Sequence, residues 1–535
     1  MAFRKNQHQQ VSMGDDLFAM TAREKKFLSR SWAEVFSNTV FPAINEDRFS
    51  VLYSSNPASR PNTPVNVIVG ALILRSWMQM TDDEIFESLL FDTRFRYALH
   101  TTSYEEQPIS ECTLPRFRER NLSHEIETGE DLIKEEMLHL SEEFAKVMKL
   151  TGSVKRMDSL MIASHCKRMS RLEILYTVAA NAVRAMHRLG MDEQIPVAML
   201  HYLAENDRNR VIYHCKDDEA GSRLQTVIGD LSALKELLDL DGFRELQEYQ
   251  LLLRALREQT KQDAEGKVIP KENSEITSDS LQNPSDPDAT YREKAGKQHK
   301  GYVGNVTETV GGNGDSLVTD MDFRPNTYSD SQFCKDYIAQ RTPDAPEETL
   351  VTDGAYFSID NAKAAAEANV ELVSTALTGK ETDEIMADFV LSDDQTEVVS
   401  CPMGHAPVKT TYYPKTGVCR ARFNHACCAN CPNRDRCHAK EQRKTFAVHV
   451  SGKTVARAAH LRRLKSEAYQ KLTHLRNGVE SIPSLLRRCF NVDRIPVFGL
   501  KPAKLYFNLD IGALNFSKLL ISLERQSREK SAQMA

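Results

Sequence analysis

The sequence predicts an α/β protein: a mixed-sheet core behind an all-α N-terminal region, with a helical insertion and a small Cys-rich insertion. Three observations predict it. Residues 1–150 carry helix signals; short extended runs ending at Asp158 and Asp353 alternate with helical segments from 151 to 395; and six of the 11 cysteines crowd between 401 and 437. At 535 residues the chain has room for several domains. The longest apolar run, Val65–Leu74, is about half the ~20 residues of a membrane-spanning helix. The N-terminus Met-Ala-Phe-Arg-Lys lacks an apolar leader, so the expected location is cytoplasmic, with no membrane partner.

Taken in order, Thr63-Pro64 reads as an N-cap with Pro at the first helical position, opening an apolar helix over 65–78. Thr81-Asp-Asp-Glu84 is a capping box for the next helix. A basic helical segment follows around Arg116-Phe117-Arg118, and residues 1–150 form one helical domain. Gly152 to Asp158 is extended, and Ser170-Arg-Leu-Glu173 caps the helix after it. Residues 191–279 read as a helical insertion and linker, with Phe243, Leu246, Leu253 and Leu256 at helical spacing and a polar linker stretch over 263–287. Residues 286–294, 301–303 and 317–319 read as a meander. Leu350–Asp353, an Ala-rich helix over 361–369 and a strand over 370–376 follow. The core is thus drawn from 151–190, 280–395 and 450–525, and 396–449 forms the Cys-rich insertion.

Singly, each candidate acid has an ordinary explanation. Asp158 ends a strand, Asp353-Gly354 is a turn dipeptide, and Glu480 lies four residues after Arg476, at ion-pair spacing. Their order of strand end, strand end and late helix is what singles them out. Net charge is −6, yet Ser451–Tyr506 holds 12 Lys/Arg against 3 Asp/Glu, a basic segment around one carboxylate. That pattern fits phosphates held near a metal-binding acid.

Arg476, Glu480 and Arg487 stand in an Arg-x-x-x-Glu-x-x-x-x-x-x-Arg pattern, with Thr473 where a Tyr often stands. With Asp158 and Asp353 this resembles the signature of bacterial insertion-sequence DDE transposases. The resemblance implies a ribonuclease-H-like core in which Asp158, Asp353 and Glu480 bind Mg²⁺ (or Mn²⁺) for phosphodiester cleavage and strand transfer. It implies double-stranded DNA, both transposon ends and target, as partner, a homo-oligomer on DNA, and phosphate contacts from Arg476 and Arg487. It further implies end binding by the helical domain, through Arg116 and Arg118. Pro483, three residues after Glu480, should kink or end that helix. Two rivals share these features: a DNA-binding regulator derived from a transposase, and a ribonuclease-H-like nuclease without strand transfer.

Cys401, Cys428, Cys431 and Cys437 form the second constellation. A Cys-x-x-Cys with two further thiols suits a closed structural zinc site, with Cys427 and His405 as substitute ligands. The Cys-rich portion holds few large apolar residues, which favours a metal over a core of its own; the ordinary alternative is buried free thiols.

Overall fold

The computed structural model describes residues 1–6, 15–56, 58–103, 109–213, 219–239, 242–294, 296–342, 344–375, 382–475, 478 and 481–534. The N-terminal region is helical. Its central helix α1 (Val65–Met78) is buried on nearly every side, so its sequence shows apolar residues without helical periodicity. Pro64, not Thr63, takes the N-cap position, and no side chain of the cap residue is used. The first helical amides are instead taken by Glu46, whose Oε2 accepts from Val65 at 3.2 Å. Thr81 and Glu84 do form the expected capping box. Helices α2 (Thr113–Thr128) and α3 (Leu132–Met148) complete this layer.

The core sheet begins with β1 (Val154–Ala163). After it come α4 (Arg171–Arg188), α5 (Ala220–Leu238) and α6 (Gln247–Gln259), which close a separate apolar core. Ser170 caps α4, but the Glu173 carboxylate turns to Lys167 and Arg208 rather than closing a box. The stretch expected as a linker is packed instead. Asp286 has no exposure, and its carboxylate accepts from Ser164 Oγ, the Tyr302 hydroxyl and the Gly499 amide.

The sheet then adds β2 (Thr290–Lys294), β3 (Lys297–Val310) and β4 (Ser316–Pro325). Residues 301–303 therefore belong to the long strand β3, and the last strand of the meander is β4. Helix α7 (Asp330–Ala339), β5 (Glu348–Thr352), α8 (Ile359–Glu367) and β6 (Val370–Ser374) follow. β3 runs antiparallel to β1 over ten residue pairs, from Val154↔Val310 to Ala163↔Gly301. Its other edge is shared by β2 and β4. On the far side of β1, β5 and β6 pair parallel. A long antiparallel second strand, a central first strand and two parallel strands beyond it make a ribonuclease-H-like sheet.

Period-two alternation divides β1 between two faces. Met157 and Met161 pack with Phe333, Leu350 and Tyr356 under α7 and α8. Leu160 and Ile162 face the other way, into a core shared with the N-terminal helices. The chain closes with a Cys-rich unit of four antiparallel strands, β7 (Lys409–Tyr413), β8 (Val418–Asn424), β9 (Lys440–Glu441) and β10 (Thr445–Val450). Helices α9 (Gly452–Leu464), α10 (Glu467–Leu475), α11 (Ser481–Cys489) and α12 (Leu500–Met534) come last. α12 runs against α1, α3 and β4. Its Asn515 side chain bonds the amide of Val318 at 2.9 Å and the carbonyl at 2.7 Å, covering the open edge of β4 as another strand would.

Candidate active site

Asp158 lies in the middle of β1, half-buried, with its backbone opposite Val306. Asp353 follows the last residue of β5 and is also half-buried. The parallel register pairs Val154 with Thr349, Lys155 with Leu350 and Arg156 with Val351, a constant offset of 195. Carried two residues further, the same offset brings 158 level with 353, just past the end of β5. Asp353 Oδ1 also accepts from the Ala355 amide at 2.5 Å, the turn that Asp-Gly predicts. It makes the turn and faces the site at once.

Beneath them lies Tyr356, 1% exposed, whose hydroxyl donates to Asn305 Oδ1 at 2.8 Å. Burial raises its pKa well above the ordinary phenol value, and the nearby charges of Asp330, Asp158 and Asp353 add to the rise. The hydroxyl stays neutral among these charges. Asp330, the first residue of α7, is buried and accepts from Ser159 Oγ at 2.8 Å, next to Asp158. Neither Asp330 nor Tyr356 carries a sequence signal, because their role depends on a crossover that only the fold supplies.

Glu480 and Arg476 lie outside the described residues. The residues around them are placed. Gly478 sits against the guanidinium of Arg156, which shares the β1 face of Asp158. Ile482 and Leu486 of α11 are buried in the core that also holds Leu160 and Ile162. Among the described residues α11 runs from Ser481 through Pro483 to Cys489. Arg487 is exposed; its Nη2 donates to the Met161 carbonyl at 3.2 Å and its Nε lies 3.3 Å from Asp493.

The expected DNA residues of the helical domain part company. Arg116 is exposed and, with Arg60, Arg120 and Tyr53, lines a cleft of about 420 Å³. Arg118 turns inward, its side chain 14% exposed, onto Asp82 and the Tyr506 ring. Burial opposes ionisation of Asp82, but Arg118 and Arg75 together hold its carboxyl below the usual range. The late basic segment is also partly spent on internal pairs. Arg462 binds Asp388 at 2.8 Å, Arg463 Glu371 at 3.1 Å and Lys504 Asp131 at 3.0 Å.

The four cysteines are mutual neighbours. Burial first, then Cys401, Cys431 and Cys427, pushes the Cys428 thiol up to about 11. Burial and the other three push Cys437 up to about 12. Tight turns carry them: the Gly404 amide bonds the Cys401 carbonyl at 2.8 Å, and the Cys431 amide the Cys428 carbonyl at 3.2 Å. Among the described residues no group of three or more His, Cys, Asp or Glu side chains is spaced to hold a metal ion. The donor chemistry suits zinc; the spacing is not closed. Contrary to expectation, the unit also has an apolar core of its own, built on Phe389, Val398, Phe423 and Val448 and including Cys419 and Cys437.

The sheet is ribonuclease-H-like, with Asp158 on its central strand and Asp353 just past the end of the neighbouring one. A family model described as a transposase DDE domain matches residues 400–520, and one described as a transposase domain matches residues 25–120. Over these two segments the chain is similar to transposases, the later one to their DDE domain. Asp158 and Asp353 fall outside both matched segments. No curated protein and no solved structure matches the chain. No helix among the described residues is long and apolar enough to cross a membrane.

Proposed function

We propose that this transposase cleaves the phosphodiester at the ends of a bacterial insertion sequence and transfers the freed 3′-hydroxyl to target DNA, using Asp158, Asp353 and Glu480. The observation that carries the reading is the parallel register of β1 and β5, whose offset brings Asp158 level with Asp353 just past the end of β5. Gly478 and Ile482, described on either side of Glu480 in sequence, lie against Arg156 and in the core shared with Leu160, which supports it. Mg²⁺ or Mn²⁺, when bound, lowers the pKa of the attacking water and stabilises the leaving oxygen. The chain's own part is to hold two carboxylates close together, with the buried Tyr356 hydroxyl neutral near them. Arg476 and Arg487 neutralise phosphate near the scissile bond, and Arg116 contacts backbone on the helix that Arg118 anchors. Zinc held by Cys401, Cys428, Cys431 and Cys437 is a second part of the proposal. It rests on the electrostatic proximity of the four thiols and requires them to draw together on binding. The setting is cytoplasmic, and the DNA-bound form is a homo-oligomer.

The experiment is cleavage of a duplex carrying the element ends. Asp158→Asn, Asp353→Asn and Glu480→Gln should each lower the Mg²⁺-dependent rate at least about 100-fold, beyond the 10–100-fold typical of losing an outer-shell partner. End binding should persist. Cleavage surviving in any of the three removes that residue from the mechanism.

A further inference from the structure

The long strand β3 does not stop where the sheet does. β1 ends at Ala163, opposite Gly301, but β3 begins four residues earlier, at Lys297, and pairs there with β2. The two form a hairpin beyond the sheet end toward which β1 and β5 run, the end at which Asp353 stands. Ligands of open α/β sheets gather outside this carboxyl end of the strands.

The hairpin is firmly mounted. Arg292 donates to the carbonyls of Asn326 (3.3 Å) and Tyr328 (3.1 Å), and Lys300 Nζ to that of Met169 (3.2 Å). Gly301, at φ +144, fits where an added Cβ would meet the Ile162 carbonyl oxygen at 2.4 Å. Its outer part is exposed and basic. The register pairs Arg292 with His299 and Lys294 with Lys297, so all four occupy one face. Lys294 and Lys297 are exposed, and among the described residues Lys294 has the buried Asp330 as its acid neighbour, 3.8 Å away. Arg168, also exposed, reaches the hairpin through the Gln298 carbonyl at 3.2 Å. His299 is held below its ordinary pKa by burial and then by Arg168, Arg487, Lys294 and Lys297, which marks these cations as one field. Like charges on paired strand positions destabilise a hairpin. A polyanion laid across the face removes that repulsion.

We propose that the β2–β3 hairpin, with Arg168, grips the sugar–phosphate backbone of duplex DNA a little under one helical turn from the acidic pair. The distance follows from the strand. Nine residues separate Val306, opposite Asp158, from Lys297. At ~3.4 Å per residue this is at most roughly 30 Å, or about nine base pairs at the ~3.4 Å spacing of phosphates along one strand. The inference rests on the transposase reading and adds a second point of grip, one that fixes the direction in which DNA leaves the site.

The test is equilibrium binding of the full chain to duplexes of 8 and 30 base pairs across a salt series. Lys294→Ala/Lys297→Ala should weaken binding to the long duplex about tenfold and lower the salt slope by about 0.9 for each phosphate no longer neutralised. Binding to the short duplex should not change. Lys297→Ala alone guards against disturbance of Asp330, and Lys297→Arg should restore binding. A double variant that matches wild type in affinity and slope on the long duplex overturns the hairpin inference alone. A wild type that binds neither duplex overturns the transposase reading as well.

Discussion

Gly478 rests against the guanidinium of Arg156, and an ideal Cβ at 478 would lie 1.8 Å from Arg156 Nη1. The arginine cannot easily retreat. Its Nη2 donates to Glu308 at 2.6 Å, and Glu308, 1% exposed, is also bound by Lys518 at 2.7 Å. A glycine at 478 is thus what lets the backbone there approach Arg156, on the β1 face that carries Asp158. Gly478→Ala should pull Arg156 from Glu308 and lower stability by on the order of 1–3 kcal/mol, the range for a buried group stripped of its partner. Cleavage should fall with it. Thermal unfolding checks this, and a variant that melts with wild type would show that the packing at 478 is slack.

Tyr356 tests the floor of the site. Phenylalanine keeps the ring but leaves Asn305 Oδ1 without the hydroxyl that donates to it at 2.8 Å. The expected loss is about 1–3 kcal/mol. The hydroxyl lies within the electrostatic reach of Asp330, Asp158 and Asp353, so the apparent Mg²⁺ affinity in cleavage should change too. Full stability with unchanged metal dependence would reduce Tyr356 to packing.

These residues divide according to what a sequence can show. Strand ends, the Thr81–Glu84 box and the Ser170 cap are local, and local chemistry fixes them within a few residues. The strand carrying Asp158 is also legible, although it runs on five residues past Asp158 to Ala163 rather than ending there. What is not legible depends on distant partners. Arg118 reads as a surface cation until Asp82, 36 residues earlier, is folded against it. Asp286 reads as part of a polar linker, yet it is buried under Tyr302 and Gly499. The first amides of α1 are satisfied from Glu46, 19 residues away. The hairpin overhang is hidden as well: the extended pattern becomes apolar only at Gly301, whereas β3 begins at Lys297 in a run of polar residues.

The cysteine proposal has its own signature. Thiols pushed up to about 11 at Cys428 and about 12 at Cys437 are protonated at neutral pH, so zinc must displace those protons. Zinc affinity should therefore weaken as pH falls, and zinc uptake should release protons. Elemental analysis should find about one zinc per chain, lost in Cys431→Ser. Protein purified without zinc, and indifferent to added zinc in thermal unfolding, would leave these as buried thiols supporting the Phe389–Phe423 core.

Asp510 gives a pH dependence whose sign can be fixed. It lies on α12, 6% exposed, and burial pushes its carboxyl up to about 8, against the smaller opposing effects of Ser76 and Arg75. In the folded protein it is neutral at pH 7; in the unfolded chain it ionises near 3.8. Folding therefore retains a proton that unfolding releases. The contribution to stability is whole below the ordinary carboxylate range, shrinks as pH rises through it, and is lost once pH passes about 8. Asp510→Asn keeps the shape and removes the titration. Relative to wild type it should gain stability between pH 5 and pH 8, by on the order of a few kcal/mol. Thermal unfolding at the two pH values measures the difference. Parallel pH profiles for the two proteins would mean that Asp510 is ionised in the fold, paired with Arg75 across the end of α1.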